Sequence, residues 1–208
     1  MMMHSLTSTE QQGVRRLMTA GFTRAAQALS QMVHRPVRVE TVRMNANRAD
    51  MRNTVSGSVD AETVLITEVV GEVGGRSYLM FSDQESHALQ VACLPAALKG
   101  PQRTIMGEAV LKEIDNVLSA TVITTLSEEL KLSIYGGAPQ LSLSGAPKEK
   151  NRTSNYSLSE DEHCLFVSTR FFIGKKPLGQ SQFIWSFPPA FVALLKDYSN
   201  DTPPNPSP

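Results

Sequence analysis

The chain is poor in the groups that announce a covalent or metal-based scaffold. Its two cysteines, Cys93 and Cys164, lie inside apolar runs and lack C-x-x-C spacing, which excludes a disulfide framework and a thiolate zinc site. Buried free thiols in a reducing cytoplasm are expected instead. Four histidines, His4, His34, His87 and His163, are scattered without ligand spacing, so no metal or cofactor of its own is expected. Excess charge is missing too: 20 basic residues balance 20 acidic ones, which removes the footprint of a nucleic-acid or anionic-membrane binder. No apolar run approaches the roughly 20 residues that span a bilayer. The N-terminus MMMHSLTSTEQQ lacks the basic and apolar regions of a signal peptide, and a cytoplasmic location is expected. No elbow motif supports a Ser or Cys nucleophile, and Gly71 to Gly75 reads as a hairpin turn rather than a phosphate cradle.

What is present suffices for a buried core: 41% apolar and 19% charged residues over 208 positions. From Thr9 to His34, the residues Val14, Leu17, Met18, Phe22, Ala25, Leu29, Met32 and Val33 recur at helical spacing. Pro36 ends that helix, and VRVETVRM alternates as a strand before a polar stretch at 45–62. TVLITEVVGEVGGRSYLMFS then predicts a hairpin, DQESHALQVA a short helix, and residues 104–130 a second long helix. After it the order returns. KLSIYGG and QLSLSG read as short strands, HCLFVSTRFFIGKKPLGQSQFIWSF as a hairpin and PPAFVALLKDY as a short helix.

Laid over each other with an offset of ninety-seven, the halves place Ala28-Leu29-Ser30-Gln31 on Thr125-Leu126-Ser127-Glu128. The hairpins correspond as YLMFSDQESHAL against FIWSFPPAFVAL, after about eight extra residues. The expected fold is α+β: two pseudo-symmetric repeats, about 9–97 and 104–198, share one antiparallel sheet with two long helices packed on it. Together they form a single domain over 1–198, and the Pro-rich tail 199–208 is excluded from it. The alternative is two unrelated α+β modules.

On the second long helix, Val110, Leu111, Ile114, Val117, Leu118, Thr121 and Val122 trace the expected core face. The opposite strip holds Ala109, Glu113, Asn116 and Ala120 within one narrow sector. A carboxylate and a carboxamide at i and i+3, bracketed by small side chains, can meet one partner surface together. Asn in mid-helix asks for a reason beyond propensity. E-x-x-N also arises by chance on solvated helices, so spacing alone leaves the pair open.

Pro139 follows Asn116 after twenty-two intervening residues. In that register, and in the context KEIDNVLSATVITTLSEEL, the chain resembles the CheC/CheX/FliY phosphatases of bacterial chemotaxis. Their pattern is Asp or Ser, three residues, Glu, two residues, Asn, twenty-two residues, Pro. ALSQMVHRPVRV resembles the end of that family's first helix, and the duplicated layout resembles CheC. The resemblance implies that Glu113 and Asn116 are catalytic and Pro139 structural. The implied substrate is the aspartyl phosphate of a CheY-like receiver, which carries its own Mg²⁺ and Lys. A CheD-like protein is a further implied partner, and a homodimer is left open. Two positions depart from the pattern. Ala109 stands where Asp or Ser is asked for, and Arg16, Thr19 and Val42 occupy the first repeat's equivalents of Glu113, Asn116 and Pro139. One working site is therefore expected. Those departures favour a second reading, a regulator with weak turnover. A third, implied by the resemblance, is a structural subunit like the FliM middle domain, which shares this fold without the active site.

Overall fold

The computed structural model describes residues 7–46, 63–143, 163–174 and 176–201. Helix α1 spans Ser8–Val33 behind a capping box in which Thr7 and Glu10 satisfy each other's backbone N–H groups. It ends at His34 in the left-handed conformation, φ 51°. Strand β1 (Val37–Ala46) follows, then β2 (Thr63–Gly71), β3 (Gly75–Phe81), helix α2 (Asp83–Cys93), helix α3 (Gly100–Leu130), β4 (Ile134–Gly136), β5 (Gln140–Leu143), β6 (His163–Ile173), β7 (Lys176–Phe187) and helix α4 (Pro189–Asp201). The polar stretch 47–62 and the tail from 202 lie outside the described residues.

Two boundaries differ from expectation. Helix α3 starts at Gly100 rather than 104, because Pro101 occupies its first turn, where a missing N–H costs nothing. Helix α4 continues to Asp201, three residues into the segment assigned to the tail.

All seven strands join one antiparallel sheet in the order β1-β6-β7-β3-β2-β4, with β5 also on β2. Each repeat lends a strand to the other's hairpin. β1 of the first half pairs with β6 of the second, and β4 and β5 of the second pair with β2 of the first. The two hairpins meet through β3 and β7, where Tyr78 faces Ile184.

Helices α1 and α3 pack side by side on one face of this sheet. Their approach is close at Gly21, where a Cβ would lie 3.2 Å from the Val122 Cα. The core between helices and sheet includes Leu17, Met18, Phe22, Leu65, Leu79, Phe81, Leu111, Leu118, Val122, Phe183, Trp185 and Phe187. Phe22 meets Phe183 edge to face with centroids 5.5 Å apart.

This packing corrects the hairpin alignment by one residue. Leu79 and Phe81 face the helices, as do Phe183, Trp185 and Phe187. Side chains alternate across a strand, so Phe81 is the counterpart of Phe187, not of Ser186. Ser77 then matches Phe183, and the buried Leu89 of α2 matches the buried Leu195 of α4.

The 71–75 segment is the hairpin turn the sequence predicts. Gly71 adopts φ 124°, and a Cβ there would lie 2.1 Å from the Ser133 carbonyl oxygen, so only glycine fits. Glu72 ties this turn to the exit of α3: its N–H donates to the Ser133 carbonyl at 3.0 Å, and its carboxylate accepts from the Ser133 N–H.

Candidate functional site

Thirty-one residues make α3 a rod along the sheet, and its outer strip is where the proposed pair stands. Glu113 and Asn116 are both exposed, as are Ala109 and Ala120 on either side. No side-chain hydrogen bond or ion pair engages Glu113 or Asn116 among the described residues. Their polar atoms are thus available to a partner, and the flanking alanines let that partner's backbone come close. Ile105, 66% exposed, and Met106, 47% exposed, extend the same strip toward the helix start.

Pro139 is half-buried in the three-residue interruption between β4 and β5. Gly136 pairs with Val69, and Gln140 pairs with Ile66. Residues 137–139 therefore pass beside Thr67 and Glu68 outside the regular ladder. Proline has no N–H to give a ladder and suits such a break. Gly137 carries the remaining link, donating its N–H to the Glu68 carbonyl at 2.7 Å.

The inner face of α3 differs from the expected core face. Leu111, Ile114, Leu118 and Val122 are buried as expected, but Val110, Val117 and Thr121 are only half-buried. The buried sector is turned toward Asp115, Ser119 and Ile123. Asp115 is fully buried, 0% exposed. Its Oδ2 accepts from Thr67 Oγ1 at 2.7 Å, and its Oδ1 accepts from Ser119 Oγ at 3.1 Å. Ser119 Oγ in turn lies 3.2 Å from Ser77 Oγ; because Ser119 gives its proton to Asp115, Ser77 is the donor across that link. Burial pushes the Asp115 carboxyl up to about 6, against the opposing pull of the two hydroxyl hydrogen bonds. Apolar periodicity does not reveal these residues, since Asp and Ser are ordinarily surface types. The available signal was the period itself, which places 115 and 119 in line with 111 and 122.

The first repeat's equivalents, Arg16 and Thr19, are exposed on α1. The outer faces of the two helices therefore present the two copies alike in geometry and unlike in chemistry.

Cys93 is free and half-buried, with its thiol raised by burial; the Cys164 side chain lies outside the described residues. His34, His87 and His163 fall on a helix cap, α2 and the start of β6, and His4 lies outside the described residues. Among the described residues no three His, Cys, Asp or Glu side chains converge as a metal site. No described helix is long and apolar enough to cross a membrane.

No protein-family model and no curated protein matches the sequence. Solved structures do match the fold. The chain is similar to Thermotoga maritima FliY, at 14% identity over 94% of this chain and 98% of that one, with a TM-score of 0.67. A chemotaxis protein CheX from Desulfovibrio desulfuricans matches at 13% identity over 83% and 97% of the two chains, TM-score 0.55. The FliM middle domain from H. pylori matches at 9% identity over 95% and 100%, TM-score 0.57. The class is thus set by architecture: a mixed α+β chain with an antiparallel sheet under long helices. Within that class, the fold is that of the CheC, CheX and FliY proteins of chemotaxis.

Proposed function

We propose that this chain is a protein phosphatase of the chemotaxis type, acting on the aspartyl phosphate of a CheY-like receiver in the cytoplasm. The observation that carries the reading is the exposed, unengaged pair Glu113 and Asn116 on α3, bracketed by Ala109 and Ala120. The chemistry asks little of the enzyme. Water attacks phosphorus, the bond from phosphorus to the receiver's aspartyl oxygen breaks, and the water's proton leaves with inorganic phosphate. Positioning and electrostatics carry such a transfer, and the receiver brings its own Mg²⁺ and Lys. The Asn116 carboxamide oxygen accepts a hydrogen bond from the water and aims it in line. Glu113 pairs with the receiver's Lys, a charge-assisted contact that gains strength as the interface excludes water. Pro139 holds the turn beside β2.

Receiver dephosphorylation tests this directly. Asn116→Ala should lower the acceleration on the order of a hundred-fold, whereas Thr19→Ala on the other repeat should leave it unchanged. An unaltered receiver decay with wild-type protein overturns the enzyme reading; an active Asn116→Ala overturns the site.

A second reading is a receiver-binding or CheD-binding regulator with little turnover, favoured by Ala109 in the leading position and by Arg16 and Thr19 in the first copy. It predicts binding of the phosphorylated receiver without faster decay. A protein partner is common to both readings, and the similar H. pylori FliM has been solved in complexes with FliG and with SpeE.

A further inference from the structure

We infer that Asp115 is a positioning residue for the candidate site, holding the α3 turn that carries Glu113 and Asn116 in fixed register on β2 through Thr67. This rests on reading Glu113 and Asn116 as the working pair. Asp115 is their neighbour in sequence but points the opposite way, into the core. Its carboxyl joins three elements: its own helix through Ser119, β2 through Thr67, and β3 through the Ser119–Ser77 link. Thr67 also sits at the break that contains Pro139. Its methyl lies 3.6 Å from where a Gly136 Cβ would be, and the next residue, Glu68, accepts the Gly137 N–H. One short stretch of β2 therefore fixes both the turn of α3 and the Pro139 turn.

The molecule contains its own control. In the other repeat, Met18 and Phe22 occupy the positions of Asp115 and Ser119, and Phe183 occupies that of Ser77. All three are apolar and buried. The contact between Phe22 and Phe183 stands where Ser119 meets Ser77. An apolar triad thus fills this space well, so packing alone does not call for a buried carboxyl, which costs stability unless it is hydrogen-bonded. At these matched positions, the polar set lies under the repeat that carries Glu and Asn.

Direction is what it adds. Apolar contacts let a helix slide or roll by tenths of an ångström, whereas hydrogen bonds weaken steeply with angle. Orienting a water demands that kind of precision from the supporting residues. Among the described residues, the hydroxyls of Thr67 and Ser119 bond to Asp115 directly, with Ser77 behind them.

Thr67→Val removes the bond to Asp115, and Ser119→Ala removes both the bond to Asp115 and the link to Ser77, each while keeping size nearly constant. With phosphorylated receiver as substrate, each should lower kcat on the order of ten-fold with KM unchanged, and Thr67→Ser should restore it. An unchanged kcat, or a loss confined to KM, overturns the proposal. A second readout needs no turnover: amide hydrogen exchange of the free protein. Thr67→Val should speed exchange at 112–118 and leave 122–126 alone; uniform acceleration along α3 makes the network merely stabilising and overturns the proposal. If wild type leaves receiver decay unchanged while exchange still responds locally, the phosphatase reading falls and the positioning role stands.

Discussion

The two repeats place the same structure over different chemistry. On α1 the outer face offers Arg16 and Thr19, and the inner face rests on Met18 and Phe22; on α3 the outer face offers Glu113 and Asn116 above Asp115 and Ser119. Surface and core differ together at matched positions. The first repeat reads as the part that stabilises by apolar burial, the second as the part that accepts a cost in its core to hold a geometry.

The contrast can be broken most forcefully in the core. Phe22→Ala should cost about 3–5 kcal/mol through lost burial and a residual cavity. Ser119→Ala, at the matching position, should cost only about 1–2 kcal/mol. Equal losses in chemical denaturation would mean that both halves stabilise the fold in the same way.

Next in size is a pH effect confined to the second repeat. The Asp115 carboxyl sits at about 6 in the folded chain, above its ordinary value. Between about pH 4 and 6, the folded state keeps a proton that the unfolded chain has released. This group's contribution to stability is therefore present at low pH and lost as pH rises through about 6. The stability of wild type relative to Asp115→Asn should fall by on the order of 3 kcal/mol from pH 4 to pH 7. A difference independent of pH would show that the carboxyl is not titrating in the core.

The smallest effect concerns the seam between the repeats. Arg24 of α1 reaches Glu128 of α3 at 2.6 Å, with both side chains about half exposed. Exposed pairs contribute less than about 1 kcal/mol, so Arg24→Ala should barely shift the denaturation midpoint, and less so at high salt. A larger loss would make the helices' polar seam, rather than the Gly21–Val122 approach, the join between the halves.

Much of the architecture was legible in residue order. Apolar steps of three and four marked both long helices, alternation marked the hairpins, and Gly71 to Gly75 marked the turn of the first. The hairpin equivalence differs by one residue because residue similarity carries no information about face, and in a strand one residue decides between core and solvent. Strand exchange was not legible, since nothing local in VRVETVRM names a partner as distant as β6. The exposure of Glu113 and Asn116 was legible from the helical period, whereas their candidacy as a site came from the register with Pro139 and the family resemblance. The support beneath the pair was not legible: Asp115 and Ser119 look like surface residues until Thr67 and Ser77 are brought beneath them.

The crossed pairing of β1 with β6 also sets the timetable of folding. Val37 faces Ile173 across the sheet, so β1 leaves the ribosome with its ladder partner still unmade. The first hairpin likewise waits for β4 and β5 to cover the outer edge of β2. Contacts between such distant segments slow folding, and the waiting strands keep open edges that invite pairing with other chains. Neither half can therefore complete its part of the sheet before strands of the other are made.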